Sequence, residues 1–160
     1  MAASSVPVPS VQLIALDYGE ARIGVAGSDA LGLLAHPLET VASQPRGVAL
    51  ARIASIYRDR KATAVVIGLP IREDGTAGAA ASKVQAFAAS LKPYLPAEAV
   101  LLYQDEYRST VEATARLQAS GKRTKSHQPL IDQAAAVVIL QNYMDALSAA
   151  QPGVPADFPE

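Results

Sequence analysis

Two apolar runs, Val11–Leu16 and Arg22–Ser28, stand only five residues apart in the stretch that ends LIALDYGEARIGVAGSD. Each has the length and apolar character of a buried strand. Five residues are too few for the crossover that parallel strands require, so the two runs form an antiparallel hairpin. Asp17 closes the first run. A hairpin needs a turn, but it does not need an acid at the end of its first strand. Asp before Tyr-Gly therefore has two readings: a turn former, or a carboxylate set at a strand end for chemistry.

The rest of the chain extends this hairpin into a sheet. Leu33–Val41 gives a third strand, irregular or at an edge because it contains Pro37. Arg46–Arg60 is helical, with Ala49, Leu50, Ile53, Ile56 and Tyr57 on one face. The β-branched run TAVVIGLP is a buried strand. Ser82–Leu91 is a helix with Val84, Phe87, Ala88 and Leu91 inward, and AVLLYQDE is the last strand. Ser109–Ser120 is a helix stopped by Gly121, and Leu130–Leu147 is a long Ala-rich helix. The order β-β-β-α-β-α-β-α-α implies an α/β protein with a mixed five-stranded sheet, its first three strands antiparallel, flanked by helices. That is the element order of the ribonuclease H-like fold.

The 160 residues suit one domain, and half are hydrophobic, enough for a packed core. Residues 1–10 read as a loose N-terminal arm and 11–148 as the folded domain. Residues 149–160, with three prolines in twelve positions, read as a disordered tail. No apolar run approaches the roughly 20 residues of a membrane span, and MAASSVPVPS lacks the plan of a signal peptide. The chain has no cysteine, which excludes disulfides, thiolate metal sites and cysteine nucleophiles and fits a reducing cytoplasm. A net charge of −1 gives no global field toward nucleic acid, so any such contact needs a local patch.

Three acids occupy comparable places in this layout. Asp17 is at the carboxyl end of the first strand, and Glu106 lies just past the end of the last strand, after Asp105. Asp132 lies in the first turn of the final helix. Ligands of open α/β sheets gather at the carboxyl ends of the strands. Three converging carboxylates repel one another unless a cation lies between them. Mg²⁺ and Mn²⁺ take oxygen ligands and keep exchangeable waters, and such a site suits phosphodiester hydrolysis. Each acid also has a plain structural reading: Asp17 as a turn former, Asp132 as a complement to the helix dipole, Glu106 as a solvated strand end.

Five blocks, LDYGEARIGVAGSD, VVIGLPIREDGTAG, FAASL, DEYRST and IDQAAAVVILQNYMD, occur in an order that resembles the YqgF/RuvX family, a branch of the RuvC-like, ribonuclease H-fold nucleases. The resemblance spans about Leu13 to Asp145. It implies a divalent-metal-dependent endonuclease acting on structured nucleic acid, either the four-way Holliday junction or the 5′ end of precursor 16S rRNA. It places the family's catalytic and metal-binding acids on Asp17, Glu106 and Asp132. The fourth strand ends in Gly68-Leu69-Pro70, where RuvC relatives carry an acid. An acid on the fifth strand must therefore reach across about 10 Å, which favours the longer Glu106 over Asp105. Ala135 and Ala136 stand where those relatives can place a further acid, so the ion is held by fewer ligands.

Arg22 and Arg108 flank the acids, where each could fork onto a phosphate or neutralise the carboxylates. Arg116, Lys122, Arg123 and Lys125 lie in a segment with no acid from Arg116 to His127, either a phosphate-gripping loop or a solvated one. GLPIREDGTAG offers backbone N–H groups to a phosphate, or is a simple Asp-Gly turn. His36 and His127 lack metal-ligand spacing, and no phosphate-loop or dinucleotide motif is present. Two other functions compete with the nuclease. A phosphotransferase of the sugar-kinase type needs two such domains around a cleft. A non-catalytic nucleic-acid or ribosome binder needs no acids. Resolution of a symmetric junction calls for a two-fold homodimer, whereas rRNA trimming does not.

Overall fold

A computed structural model describes residues 12–71, 78–105 and 128–149 of the chain. The expected helix over 109–120, the acid Glu106 and the cations Arg108, Arg116, Lys122, Arg123 and Lys125 lie outside the described residues, as do both termini. The described elements are β1 (Leu13–Tyr18), β2 (Arg22–Ser28), β3 (Ala35–Ala42), α1 (Arg46–Asp59), β4 (Ala64–Leu69), α2 (Ala79–Leu91), a 3₁₀ turn at Lys92–Tyr94, β5 (Val100–Asp105) and α3 (Gln128–Ala149). The sheet has the order β3-β2-β1-β4-β5. β1 pairs with β2, and β2 with β3, in antiparallel fashion, while β4 runs parallel to both β1 and β5. Mixed five-stranded topology and element types match the sequence expectation.

The boundaries differ in instructive ways. Apolar patterning ends the first strand at Leu16, but the ladder continues through Asp17 and Tyr18, which face Gly24 and Ile23. Strand pairing is made by backbone groups, so a polar side chain does not end it. Residues 19–21 alone form the turn. Gly19 is required there, because a Cβ would lie 2.7 Å from the Arg22 carbonyl oxygen. Buried Ser43 fastens this turn: its hydroxyl donates to the Gly19 carbonyl at 2.6 Å, and its backbone N–H donates to the Ala21 carbonyl at 2.9 Å.

β3 begins at Ala35 rather than Leu33. The Asp29 carboxylate accepts the Leu33 and Leu34 backbone N–H groups at 2.8 and 3.3 Å and keeps both residues in a turn. The same bonds, the Leu33 one foremost, hold the Asp29 carboxyl below its ordinary pKa. β3 is an edge strand, as Pro37 requires, and its register with β2 shifts between Val25 and Ala26, which face Glu39 and Pro37.

Strand alternation splits the core into two layers. On one side Ile14, Leu16, Ile23, Val25, Val65 and Ile67 pack under α1 and α2, with Ile53, Phe87 and Leu91 above them. On the other side Leu13, Ala15, Ala26, Ala64 and Val66 meet Ala136, Ile139, Leu140 and Met144 of α3. Fully burying a side chain such as Ile139 or Leu140 stabilises the fold by about 1.5–3 kcal/mol. The α3 layer is built largely from alanines, so this helix lies close to the sheet.

At Gly24 the approach is closest. A Cβ there would sit 1.9 Å from the carbonyl oxygen of Asp132 and 2.4 Å from its carbonyl carbon. The helix backbone thus rests directly on the strand backbone. Further along, the Gln141 side chain accepts the Ala35 N–H at 2.9 Å and donates to the Leu33 carbonyl at 3.1 Å. Gln133 donates to the Thr40 hydroxyl at 2.9 Å. Gly24→Ala should therefore force α3 off the sheet. We expect a loss of about 1–3 kcal/mol, as for other overpacking changes, read as a lower midpoint in chemical denaturation. An unchanged midpoint would show that α3 does not need this contact.

Candidate metal and nucleic-acid site

The site is assembled by the pleat of the sheet. Leu13 and Ala15 point toward α3, so Asp17, two residues on, is carried on the same face. Its register partner is Gly24, on which α3 rests at Asp132. The helix begins at Gln128 rather than Leu130, so Asp132 stands in its second turn and not in the first, where the apolar pattern puts it. Gly24 is one strand spacing, about 5 Å, from the β1 position that bears Asp17, and Asp132 stands over Gly24. The two acids lie 115 positions apart in the chain and share a face of the sheet only because α3 docks there. On the other flank of β1, the parallel register with β4 reaches Leu16–Ile67, and Gly68 follows. Asp17 thus stands between two strands that each offer a glycine beside it.

Arg22 is on the same face as Gly24, two residues earlier on β2. Its Nε donates to Asp132 Oδ2 at 2.8 Å, an ion pair in which the arginine side chain is 40% exposed and the aspartate 15%. Of the two roles open to Arg22, neutralising a carboxylate is the one this geometry displays. The pair also staples the beginning of α3 to β2.

Asp105 is on the other side of the sheet. It faces Leu69 in register, and both Leu69 and Leu101, four residues earlier on β5, belong to the α1–α2 layer. Leu102 belongs to the α3 layer, and Gln104, opposite Gly68, shares its face. Asp105 consequently points away from Asp17. Ala135 and Ala136 are fully buried in the described helix and supply no ligand.

The opposite side of the β1 end is rigid. Tyr18 stacks on Phe87 with ring centroids 4.6 Å apart, and the Arg46 guanidinium lies 5.8 Å from the Phe87 centroid. Glu20, in the turn, is hydrogen-bonded to Lys83 of α2. That bond lowers the Glu20 pKa and raises that of Lys83. The pair borders a cavity of about 240 Å³ lined by Tyr18, Gly19, Pro70 and Val84. Positions on both sides of the Asp17 strand end are thereby fixed by neighbours.

Among the described residues, no group of three or more His, Asp or Glu side chains is gathered to hold a metal ion. The donor set that is described consists of carboxylates, Asp17 and Asp132, on one face at a strand end. Carboxylate oxygens are the ligands Mg²⁺ and Mn²⁺ prefer, so these residues fit such an ion. His36 lies beside Arg60, at 3.3 Å, well away from this end of the sheet. The sequence expectations did not include Gly24 or Ser43. A glycine inside a strand does signal a close backbone approach, and that signal was available at Gly24. Ser43 has no comparable mark.

The sheet order and helix placement define a ribonuclease H-like fold. Thermus thermophilus RuvC, solved in complex with Holliday junction substrate, superposes with a TM-score of 0.54 at 16% identity, covering 88% of this chain and 97% of that one. At this identity the likeness concerns the fold. The chain belongs to the RuvX family, described as Holliday junction resolvase, whose profile matches residues 11–146. A Nocardia farcinica protein is 44% identical over 142 residues, covering 85% of this chain and 78% of its own length. A Synechococcus sp. protein is 40% identical over 143 residues, covering 89% and 83%. Both relatives carry the name "Putative pre-16S rRNA nuclease". The family resemblance carried by the five sequence blocks is borne out.

The orientation of Asp105 gives a direct test. Asp105→Asn should leave cleavage within about twofold of wild type, whereas Glu106→Gln should reduce it by more than the roughly 10- to 100-fold that changes behind a metal ligand cost. Rates of nucleic-acid cleavage for the two purified variants check this. The reverse order would make Asp105 the ligand.

Proposed function

We propose that the chain is a divalent-metal-dependent endonuclease that hydrolyses phosphodiester bonds in structured nucleic acid, with Asp17, Glu106 and Asp132 as its metal-binding and catalytic carboxylates. The observation that carries the proposal is the seating of α3 on Gly24, which brings Asp132 to the face and strand end that bear Asp17. The assignment of Glu106 over its neighbour is supported by the pleat, because Asp105 points away from Asp17. Glu106 would extend past Gly68, which has no side chain in the way.

When bound, Mg²⁺ or Mn²⁺ supplies Lewis-acid charge at the phosphate and a nucleophilic water at neutral pH. The chain's own residues hold the ion and hold the substrate. Asp17 is fixed by strand pairing on one side and by the Ser43-fastened turn on the other. Asp132 is fixed by the helix start. Arg22 and Arg108 flank the acids, and Arg116, Lys122, Arg123 and Lys125 form the basic segment that would grip the phosphate backbone outside the cleavage point. Charge of this kind is local, since the whole chain carries only −1.

Two substrates are supported by relatives. The names of the sequence relatives favour precursor 16S rRNA, whose 5′ end would be the cut site. The junction-bound RuvC of the same fold favours a four-way DNA junction, for which the chain would act as a homodimer. Cleavage of both substrates, side by side with Mg²⁺ and with Mn²⁺, separates them. Cleavage of neither would leave a nucleic-acid or ribosome binder on a nuclease scaffold. No described helix is long and apolar enough to cross a membrane, and the absence of cysteine supports a cytoplasmic setting.

Asp17→Asn keeps the shape of the side chain and removes its charge. Cleavage should fall by at least about a hundredfold while the thermal melting curve stays near that of wild type. Full activity in this variant would remove the metal-site reading. Replacing Lys122, Arg123 and Lys125 with Ala should weaken binding and reduce the slope of log K against log salt by about 0.7–0.9 for each phosphate no longer neutralised. An unchanged slope would mean that the segment is a solvated loop.

A further inference from the structure

We infer that Arg22 is an exchangeable counter-ion of Asp132: it holds the carboxylate in the metal-free protein, yields it to the divalent ion, and then takes a phosphate of the nucleic acid. The inference rests on the metal-site reading above and extends it to a positioning residue.

The geometry supplies the first half. Arg22 Nε and Asp132 Oδ2 are 2.8 Å apart, and the aspartate side chain is 15% exposed. A carboxylate this enclosed needs a positive partner when no metal is bound. A divalent ion and a guanidinium cannot both be the close partner of that oxygen without mutual repulsion, so the two compete for it. The arginine can leave at little cost. Its side chain is 40% exposed, and among the described residues its two Nη groups make no hydrogen bond. Among the described residues only its Nε is committed.

The second half follows from where a released guanidinium would stand. Arg22 is the first residue of β2, on the α3 face, at the end of the sheet that bears Asp17. The turn behind it is held by Ser43, so the Arg22 backbone does not move away. A planar fork at the rim of a carboxylate site is suited to a phosphate oxygen pair. The exchange couples the two events: the ion frees the arginine, and the arginine then favours substrate. A purely structural staple behaves differently, since its removal loosens α3 and weakens both metal and nucleic-acid binding.

Opposite signs therefore identify the exchange. Mn²⁺ binding to the nucleic-acid-free protein is measured by calorimetry for wild type, Arg22→Gln, Arg22→Lys and Asp132→Asn. Binding of a four-way DNA junction is measured over a range of salt, in Ca²⁺ and in EDTA. Arg22→Gln should bind Mn²⁺ about two- to fivefold more tightly, the competition expected from a partly exposed ion pair. It should also bind the junction more weakly in Ca²⁺, with a salt slope lower by about 0.9, and show no slope change in EDTA. Arg22→Lys, which keeps the charge but not the fork, should bind Mn²⁺ like wild type. Unchanged or weaker Mn²⁺ binding by Arg22→Gln, while Asp132→Asn loses the ion, overturns the exchange and leaves the metal site standing. If Asp132→Asn binds Mn²⁺ as wild type does, the metal-site reading is itself wrong and the exchange falls with it.

Discussion

The contact between the α3 backbone and Gly24 decides where Asp132 stands on the sheet. No side chain separates the two backbones, and a Cβ would lie 1.9 Å from the Asp132 carbonyl. Close approach of this kind is possible only at a glycine. It sets the depth of the helix start, and the alanine-rich layer beyond it, Ala15, Ala26, Ala64, Ala135 and Ala136, keeps the helix at that depth. The polar contacts of Gln133 and Gln141 then fix its position along the sheet. A carboxylate in the second turn of a helix seated this way has little freedom.

The strand end opposite is equally constrained, but by other means. β1 is a central strand, paired on both sides. Its last residues alternate in role: Tyr18 enters the aromatic stack with Phe87 under Arg46, while Asp17 turns to the α3 side. The same two-residue period sends Asp105 to the α1–α2 side of the sheet, away from Asp17.

Arg22 connects these two constraints. It stands on the strand that receives the helix and touches the acid that the helix delivers. An arginine in this place gives the enclosed Asp132 carboxylate its opposite charge and ties α3 to β2.

Much was legible in the sequence. The hairpin followed from the short gap between two apolar runs, the mixed sheet from the order of periodic segments, and the inward faces of α1 and α2 from helical spacing, since these depend on local chemistry. Asp17 stood out because a polar residue ended an apolar run, and Arg22 because it flanked that acid. Several things depended on the tertiary structure. The strand reached Tyr18 because backbone pairing ignores side-chain polarity. The third strand started late because the Asp29 carboxylate captured two backbone N–H groups. Asp105 was turned away from Asp17 by a pleat whose phase is set by the registers of Asp105 with Leu69 and of Gln104 with Gly68. Above all, the pairing of Asp132 with Arg22, 110 residues away, was decided by helix docking. Spacing along a chain fixes which residues share a face of one element; only packing between elements fixes which faces meet.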